Sequence, residues 1–268
     1  MNDSSNHSCM KTIHYNGSDI PLAYSDVGTG NASVFLHGWG ANRSFFQPLT
    51  DSLSETGRCI SIDLPGFGGS PPPPAPWSTI EYAECVLAFL DELRLEPCII
   101  IGHSFGGRLA IRLAVKHPHR CRALVLIAAA GLRRSVPMLK KARIRMIQYT
   151  ARIAKTLLPG RLGESIKQNL YKKIASRDYL DAGELRETFV KVVNEDLEPL
   201  LSSIQTPVLL LYGADDTETP PEFGRRMKTQ LPNAQYVELP GFDHYSILTR
   251  GRHQVEHHIT AFLKGLPQ

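Results

Sequence analysis

Short apolar runs recur along the chain: Thr12–Tyr15, Ile20–Tyr24, Ser33–Leu36, Cys59–Ile62, Cys98–Ile101, Ala123–Ala128, Val208–Tyr212 and Gln235–Leu239. Each is a strand candidate. The middle runs are apolar throughout rather than at alternate positions, the pattern of strands in a parallel sheet covered on both faces. Between them lie stretches with helical spacing. Ser78-Thr79-Ile80-Glu81 is a capping box, because the serine and glutamate side chains can each satisfy an orphan N–H of the first turn. It predicts a helix to about Leu93, with Ile80, Ala83, Leu87 and Leu90 on one side. A second helix follows Ser104 and stops before Pro118, and others cover Pro221–Gln230 and His253–Leu263. Asn16-Gly17 predicts a tight turn that folds the first two runs into an antiparallel hairpin.

Strand–helix alternation implies an α/β domain with a mostly parallel sheet and helices on both faces. Residues 131–198 interrupt it with helical pattern and no strand candidate, and strands resume at Val208. An insertion placed there is expected to form a helical cap over the C-terminal strand ends, where open α/β sheets bind ligands. The predicted organisation is a first core part over 1–130, a cap over 131–198 and a second core part over 199–268. Residues 1–10 read as disordered. Pro71–Pro74 with Pro76 make a stiff, extended loop after the fourth run.

Composition narrows the class. Of 268 residues, 42% are hydrophobic and 21% charged, which excludes wholesale disorder. Cysteines 9, 59, 85, 98 and 121 have no CxxC spacing and are odd in number, which speaks against a structural zinc site and for free thiols in a reducing compartment. Residues 1–11 contain no signal-peptide-like apolar stretch, and no uncharged apolar run approaches the roughly 20 residues of a membrane span. The expectation is a cytoplasmic protein that is not integral to a membrane.

The net charge of +4 gives no reason to expect nucleic-acid binding, but it hides a segregation. Residues 131–180 hold 13 Lys and Arg against two acids, or +11, and the remainder holds 17 against 24, or −7. Lys141, Arg145, Arg152 and Lys155 share a helix face beside an apolar stripe of Ile144, Ile147, Ala151, Ala154 and Leu158. Three readings fit: a solvated face, a site for an acidic protein or anionic substrate, or an anionic membrane surface.

The sharpest chemical motif is Gly102-His103-Ser104-Phe105-Gly106, directly after an apolar strand and opening a helix. A serine on such a strained turn projects its hydroxyl above the sheet, and small residues two before and two after let the backbone turn. The alternative is an ordinary glycine-rich strand–helix loop. A serine nucleophile needs a base, and the base an orienting acid. Of ten histidines, His244 alone lies in the loop after the last strand, in Gly241-Phe242-Asp243-His244. His253, His257 and His258 fall on the C-terminal helix and read as solvated. The acid candidates are Asp215 and Asp216 after Val208–Tyr212, with Asp63 a third carboxylate that precedes the serine. A developing oxyanion needs preorganised N–H donors. Phe105, next to the serine, and Trp39, in His37-Gly38-Trp39-Gly40, are the candidates.

Together with Asp63-Leu64-Pro65-Gly66-Phe67-Gly68-Gly69-Ser70 and Leu211-Tyr212-Gly213-Ala214-Asp215-Asp216, these motifs resemble the α/β-hydrolase superfamily over nearly the whole chain. The resemblance implies an α/β-hydrolase fold and a Ser–Asp–His triad. In that family the acid lies three residues after the strand-end glycine and four before a proline; Gly213 and Pro220 make it Asp216. The implied triad is Ser104, Asp216 and His244, with Trp39 and Phe105 as the oxyanion hole and no metal or organic cofactor. Serine at position 104 disfavours the members that use an aspartate nucleophile. The implied chemistry is carboxylic-ester hydrolysis through an acyl-enzyme. The alternatives are a carbon–carbon bond hydrolase, a cofactor-free perhydrolase and a hydrolase-like binding protein or receptor. The His37–Gly40 and Asp63–Gly68 motifs are also similar to those of pimeloyl-carrier-protein methyl ester esterases, which implies an acidic acyl carrier protein as partner of the basic cap.

Overall fold

In the computed structural model, residues 8–133, 146 and 177–266 are described. The apolar runs form one eight-stranded sheet: β1 (Ser8–Tyr15), β2 (Ser18–Val27), β3 (Ala32–Leu36), β4 (Arg58–Ile62), β5 (Cys98–His103), β6 (Cys121–Ile127), β7 (Val208–Gly213) and β8 (Ala234–Leu239). The spatial order is β1-β2-β4-β3-β5-β6-β7-β8. β2 pairs antiparallel with β1 and β4, and every other pair is parallel. The hairpin closes at Asn16 and Gly17, whose φ angles of 48° and 75° are what a two-residue turn with the strands' own twist requires. β1 starts earlier than the apolar pattern suggested. Ser8, Cys9 and Met10 pair with Ser25, Tyr24 and Ala23, so these three do not belong to a disordered N-terminus.

The pleat explains why the middle strands are apolar at every position. Val34, Leu36, Ile100, Leu124 and Leu210 face one side, with Phe35, Ile101, Val125, Leu209 and Leu211 on the other, all buried. The first face packs under α2 (Thr79–Glu92), α3 (Phe105–Lys116) and α6 (Pro221–Gln230) through Tyr82, Val86, Leu109, Leu113 and Met227. The second packs under α1 (Gln47–Leu53) and α7 (Arg252–Lys264) through Leu49, Val255, Ile259 and Phe262. Burying each such side chain contributes about 1.5–3 kcal/mol. The capping box of α2 forms as its sequence predicts, with Ser78 N–H donating to Glu81 Oε2 at 2.7 Å. α1 was not evident from periodicity because it spans only seven residues with a proline near its start.

Within 131–198, the described elements are helical: α4 (Arg177–Asp181), α5 (Arg186–Asn194) and short 3-10 turns. The chain leaves and re-enters the core at one place. Leu197 N–H donates to Gly131 O at 2.8 Å, and Arg133 Nη2 donates to Asn194 O at 3.1 Å. The basic stripe of Lys141, Arg145, Arg152 and Lys155 lies outside the described residues. Cys59, Cys85, Cys98 and Cys121 are buried and Cys9 is half-buried, and none of the five is in a disulfide. Among the described residues no helix is long and apolar enough to cross a membrane.

Candidate active site

The C-terminal ends of β3, β5, β7 and β8 carry the candidate residues. Ser104 bridges β5 and α3 with φ 50° and ψ −108°, a conformation costing about 1–3 kcal/mol for a residue with a Cβ. Backbone hydrogen bonds hold it there. Ser104 N–H donates to Ile127 O, Gly106 N–H donates to His37 O, and Ser104 O accepts from Gly107 and Ala130, all at 3.1 Å. A Cβ on Gly102 would lie 2.5 Å from Gly106 O, so the residue two before the serine must be glycine. The N-terminus of α3 places positive partial charge beside Ser104. Among the described residues, the N–H groups of Trp39 and Phe105 enter no turn or loop hydrogen bond.

Of the two adjacent aspartates after β7, Asp215 is exposed and Asp216 is buried. Asp216 Oδ1 accepts from the N–H groups of Glu218 and Thr219, both at 2.8 Å, and Oδ2 lies 2.8 Å from His244 Nδ1. Burial alone would raise the Asp216 pKa. The hydrogen bond and charge of His244, with the Thr219 bonds, outweigh it and hold the carboxyl below its ordinary range. Thr219 Oγ1 sits 3.0 Å from His244 Nδ1, 2.8 Å from Ala128 O and 2.9 Å from Asp216 Oδ2. Its proton can serve Ala128 or Asp216, and its oxygen faces the imidazole N–H. His244 Nε2 points the other way, 3.6 Å from Glu218 Oε2. No hydrogen bond joins Ser104 to His244 among the described residues.

Asp63 is held elsewhere. It is buried, accepts from Arg43 N–H at 2.6 Å and Gly69 N–H at 2.8 Å, and pairs with the Arg43 guanidinium. Two buried histidines brace the neighbouring backbone. His37 Nδ1–H donates to Gly38 O at 2.8 Å while Nε2 accepts from Leu64 N–H at 3.0 Å. His103 Nε2–H donates to His244 O at 3.0 Å, leaving Nδ1 buried without a partner. Burial pushes their pKa values down to about 4 for His37 and about 3 for His103.

Ser104, Trp39 and Phe105 line one pocket of about 1380 Å³, together with Thr219, Arg108 and residues of the 131–198 segment. Trp39 is its aromatic wall, with ring centroids 5.0 Å from Phe67, 5.4 Å from Phe105 and 5.0 Å from Phe189 of α5. Sequence reasoning had passed over Thr219, whose only trace is its place three residues after Asp216, and the bracing role of His37 and His103. His253 and His257 are exposed and His258 half-buried on α7. No group of three or more potential metal ligands occurs among the described residues.

Residues 34–256 match the alpha/beta hydrolase family. The chain belongs to that family. It is 29% identical over 253 residues to the AB hydrolase superfamily protein YisY of Bacillus subtilis, covering 84% of this chain and 89% of that one. It is 28% identical over 230 residues to a pimeloyl-[acyl-carrier protein] methyl ester esterase of Neisseria meningitidis serogroup C, covering 80% and 86%. A thermophilic esterase from Thermogutta terrifontis superposes with a TM-score of 0.74 at 23% identity, covering 98% of this chain and all of the other, a likeness of fold. The eight-stranded sheet with its single reversed strand is thus an alpha/beta hydrolase fold.

Proposed function

We propose that this alpha/beta hydrolase cleaves carboxylic esters through an acyl-enzyme on Ser104. The observation that carries the reading is the 2.8 Å contact between Asp216 and His244 Nδ1, next to the pocket that the strained Ser104 lines. His244 Nε2 takes the hydroxyl proton as Ser104 Oγ attacks the ester carbonyl. The N–H groups of Trp39 and Phe105 receive the developing oxyanion, each worth roughly 10²–10³ in rate. His244 returns the proton to the departing alcohol, and water then hydrolyses the acyl-enzyme with His244 again as base. Asp216 stays ionised throughout, keeps the proton of neutral His244 on Nδ1 and stabilises the imidazolium. The Ser104–His244 hydrogen bond forms when substrate fills the pocket, as catalytic contacts tighten on binding. Residues 131–198 act as the lid; Leu185 and Phe189 already line the pocket.

A carrier-bound methyl ester is a second, narrower reading, supported by the Neisseria relative and by the +11 segment. Reversing the charges of Lys141, Arg145 and Arg152 then weakens turnover of a carrier-linked ester and its salt dependence, while a free ester is unaffected. The primary test is a fluorophosphonate probe. Labelling on Ser104, abolished together with ester turnover in Ser104→Ala, is the expected result. A folded wild type that neither labels nor turns over esters would favour a binding protein built on the hydrolase fold.

A further inference from the structure

Arg108 lies in the first turn of α3, four residues after Ser104, and lines the same pocket. Its exposure is only 7%. A buried guanidinium normally has a carboxylate partner. Among the described residues the contact is a single hydrogen bond, from Nη1 to the backbone O of Glu195 at 3.2 Å. The two acids whose charge acts on Arg108, Glu195 and Asp196, are engaged with other groups. The Glu195 carboxylate takes bonds from Thr79 N–H at 2.9 Å and Arg112 Nη2 at 3.1 Å. Asp196 accepts from Glu198 N–H at 3.2 Å and lies 3.9 Å from Arg133. Arg108 lines the pocket, and its remaining nitrogens are not among the buried polar atoms without a partner. The other acids lining that pocket, Asp178, Asp181, Glu184 and Glu218, are half-buried or exposed, towards its rim. Burial lowers the Arg108 pKa to about 10, which leaves it charged at neutral pH.

We propose that Arg108 anchors a carboxylate of the substrate, so that the preferred esters are half-esters of dicarboxylic acids. The inference rests on the ester-hydrolase reading and names the substrate class for it. A planar monoanion suits the guanidinium fork, and the acid rim opposes a phosphate dianion. The acyl part stays on Ser104 through both half-reactions, so an anchor close by positions both of them. Four residues of chain, about 6 Å of rise at helical geometry, keep the anchor close to Ser104 and favour a short chain between carbonyl and carboxylate.

The test compares the mono-p-nitrophenyl ester of glutaric acid with p-nitrophenyl pentanoate, equal in acyl length and leaving group. Wild type is expected to favour the half-ester in kcat/KM by roughly tenfold or more. That ratio collapses in Arg108→Gln and returns in part in Arg108→Lys. Taking the ratio cancels any general loss caused by releasing the Glu195 backbone. In parallel, glutarate raises the Tm of wild type above that with glutaramide, a neutral analogue that is not an ester, and Arg108→Gln abolishes the difference. If Arg108→Gln fails to fold, Arg108→Lys and the wild-type ligand shifts decide. A neutral ester cleaved as well as the half-ester, or a preference unchanged in the Arg108 variants, overturns the anchor and leaves ester hydrolysis standing. If neither ester reacts and Ser104 does not label, the ester-hydrolase reading falls, and the glutarate shift alone judges the anchor.

Discussion

The loops after β4 and β7 both bury an aspartate at a strand's C-terminal end, and they give it different partners. Asp63 meets Arg43, a permanent cation, and two backbone N–H groups. Asp216 meets the His244 imidazole and two backbone N–H groups. The β4 loop leans on one buried neutral histidine, and the His244 loop after β8 leans on another. His37 has both nitrogens satisfied, whereas His103 keeps one nitrogen orphaned. The first loop is therefore a closed electrostatic unit that fixes the chain. The second leaves one imidazole edge facing outward, as a proton carrier must.

The largest effect expected from breaking this contrast is in Asp216→Asn. It should lower kcat by about 10⁴ through the wrong imidazole tautomer, with a smaller change in stability. Asp63→Asn should do the reverse: a loss of about 3 kcal/mol, seen as a lower Tm, with activity per folded molecule largely kept. If the two variants behave alike in kcat and Tm, the contrast is wrong.

Acid titration sharpens it next. In the unfolded chain His37 and His103 take up protons as pH falls below about 6.5. In the fold they resist until about 4 and about 3. Stability is therefore full above about pH 6.5 and falls as pH drops towards 4, with up to two protons taken up on unfolding, at most about 2.7 kcal/mol per pH unit. Asp216 adds a loss at lower pH, because its folded pKa lies below its ordinary value and its contribution disappears as pH falls through the folded one. Denaturant unfolding from pH 4 to 7 measures the slope, and His37→Gln should flatten it by about one proton. The smallest effect is in Thr219→Val, which removes a hydroxyl beside Asp216 and His244. About tenfold in kcat is expected, with KM little changed.

The contrast also marks where sequence reading stops. The strands were legible because two-sided burial leaves few polar positions, and the Ser104 turn because its glycines are set by backbone clearance. Asp215 and Asp216 were not separable by pattern alone, since neighbours in a loop differ only in which one the fold buries. Thr219, His103 and Arg108 were illegible for a related reason. Each acts through a group distant in sequence: Ala128 O and His244 for Thr219, His244 O for His103, Glu195 O for Arg108. α1 escaped because one short helix with a proline lacks a period to read.

The most direct test of the Ser104–His244–Asp216 account is to quench a reaction with a p-nitrophenyl ester in acid and map the acyl group by peptide mass. The account predicts an acyl adduct on the peptide containing Ser104 in wild type, none in Ser104→Ala, and slow formation in Asp216→Asn. Ester turnover that persists in Ser104→Ala, with no adduct on wild type, would contradict it.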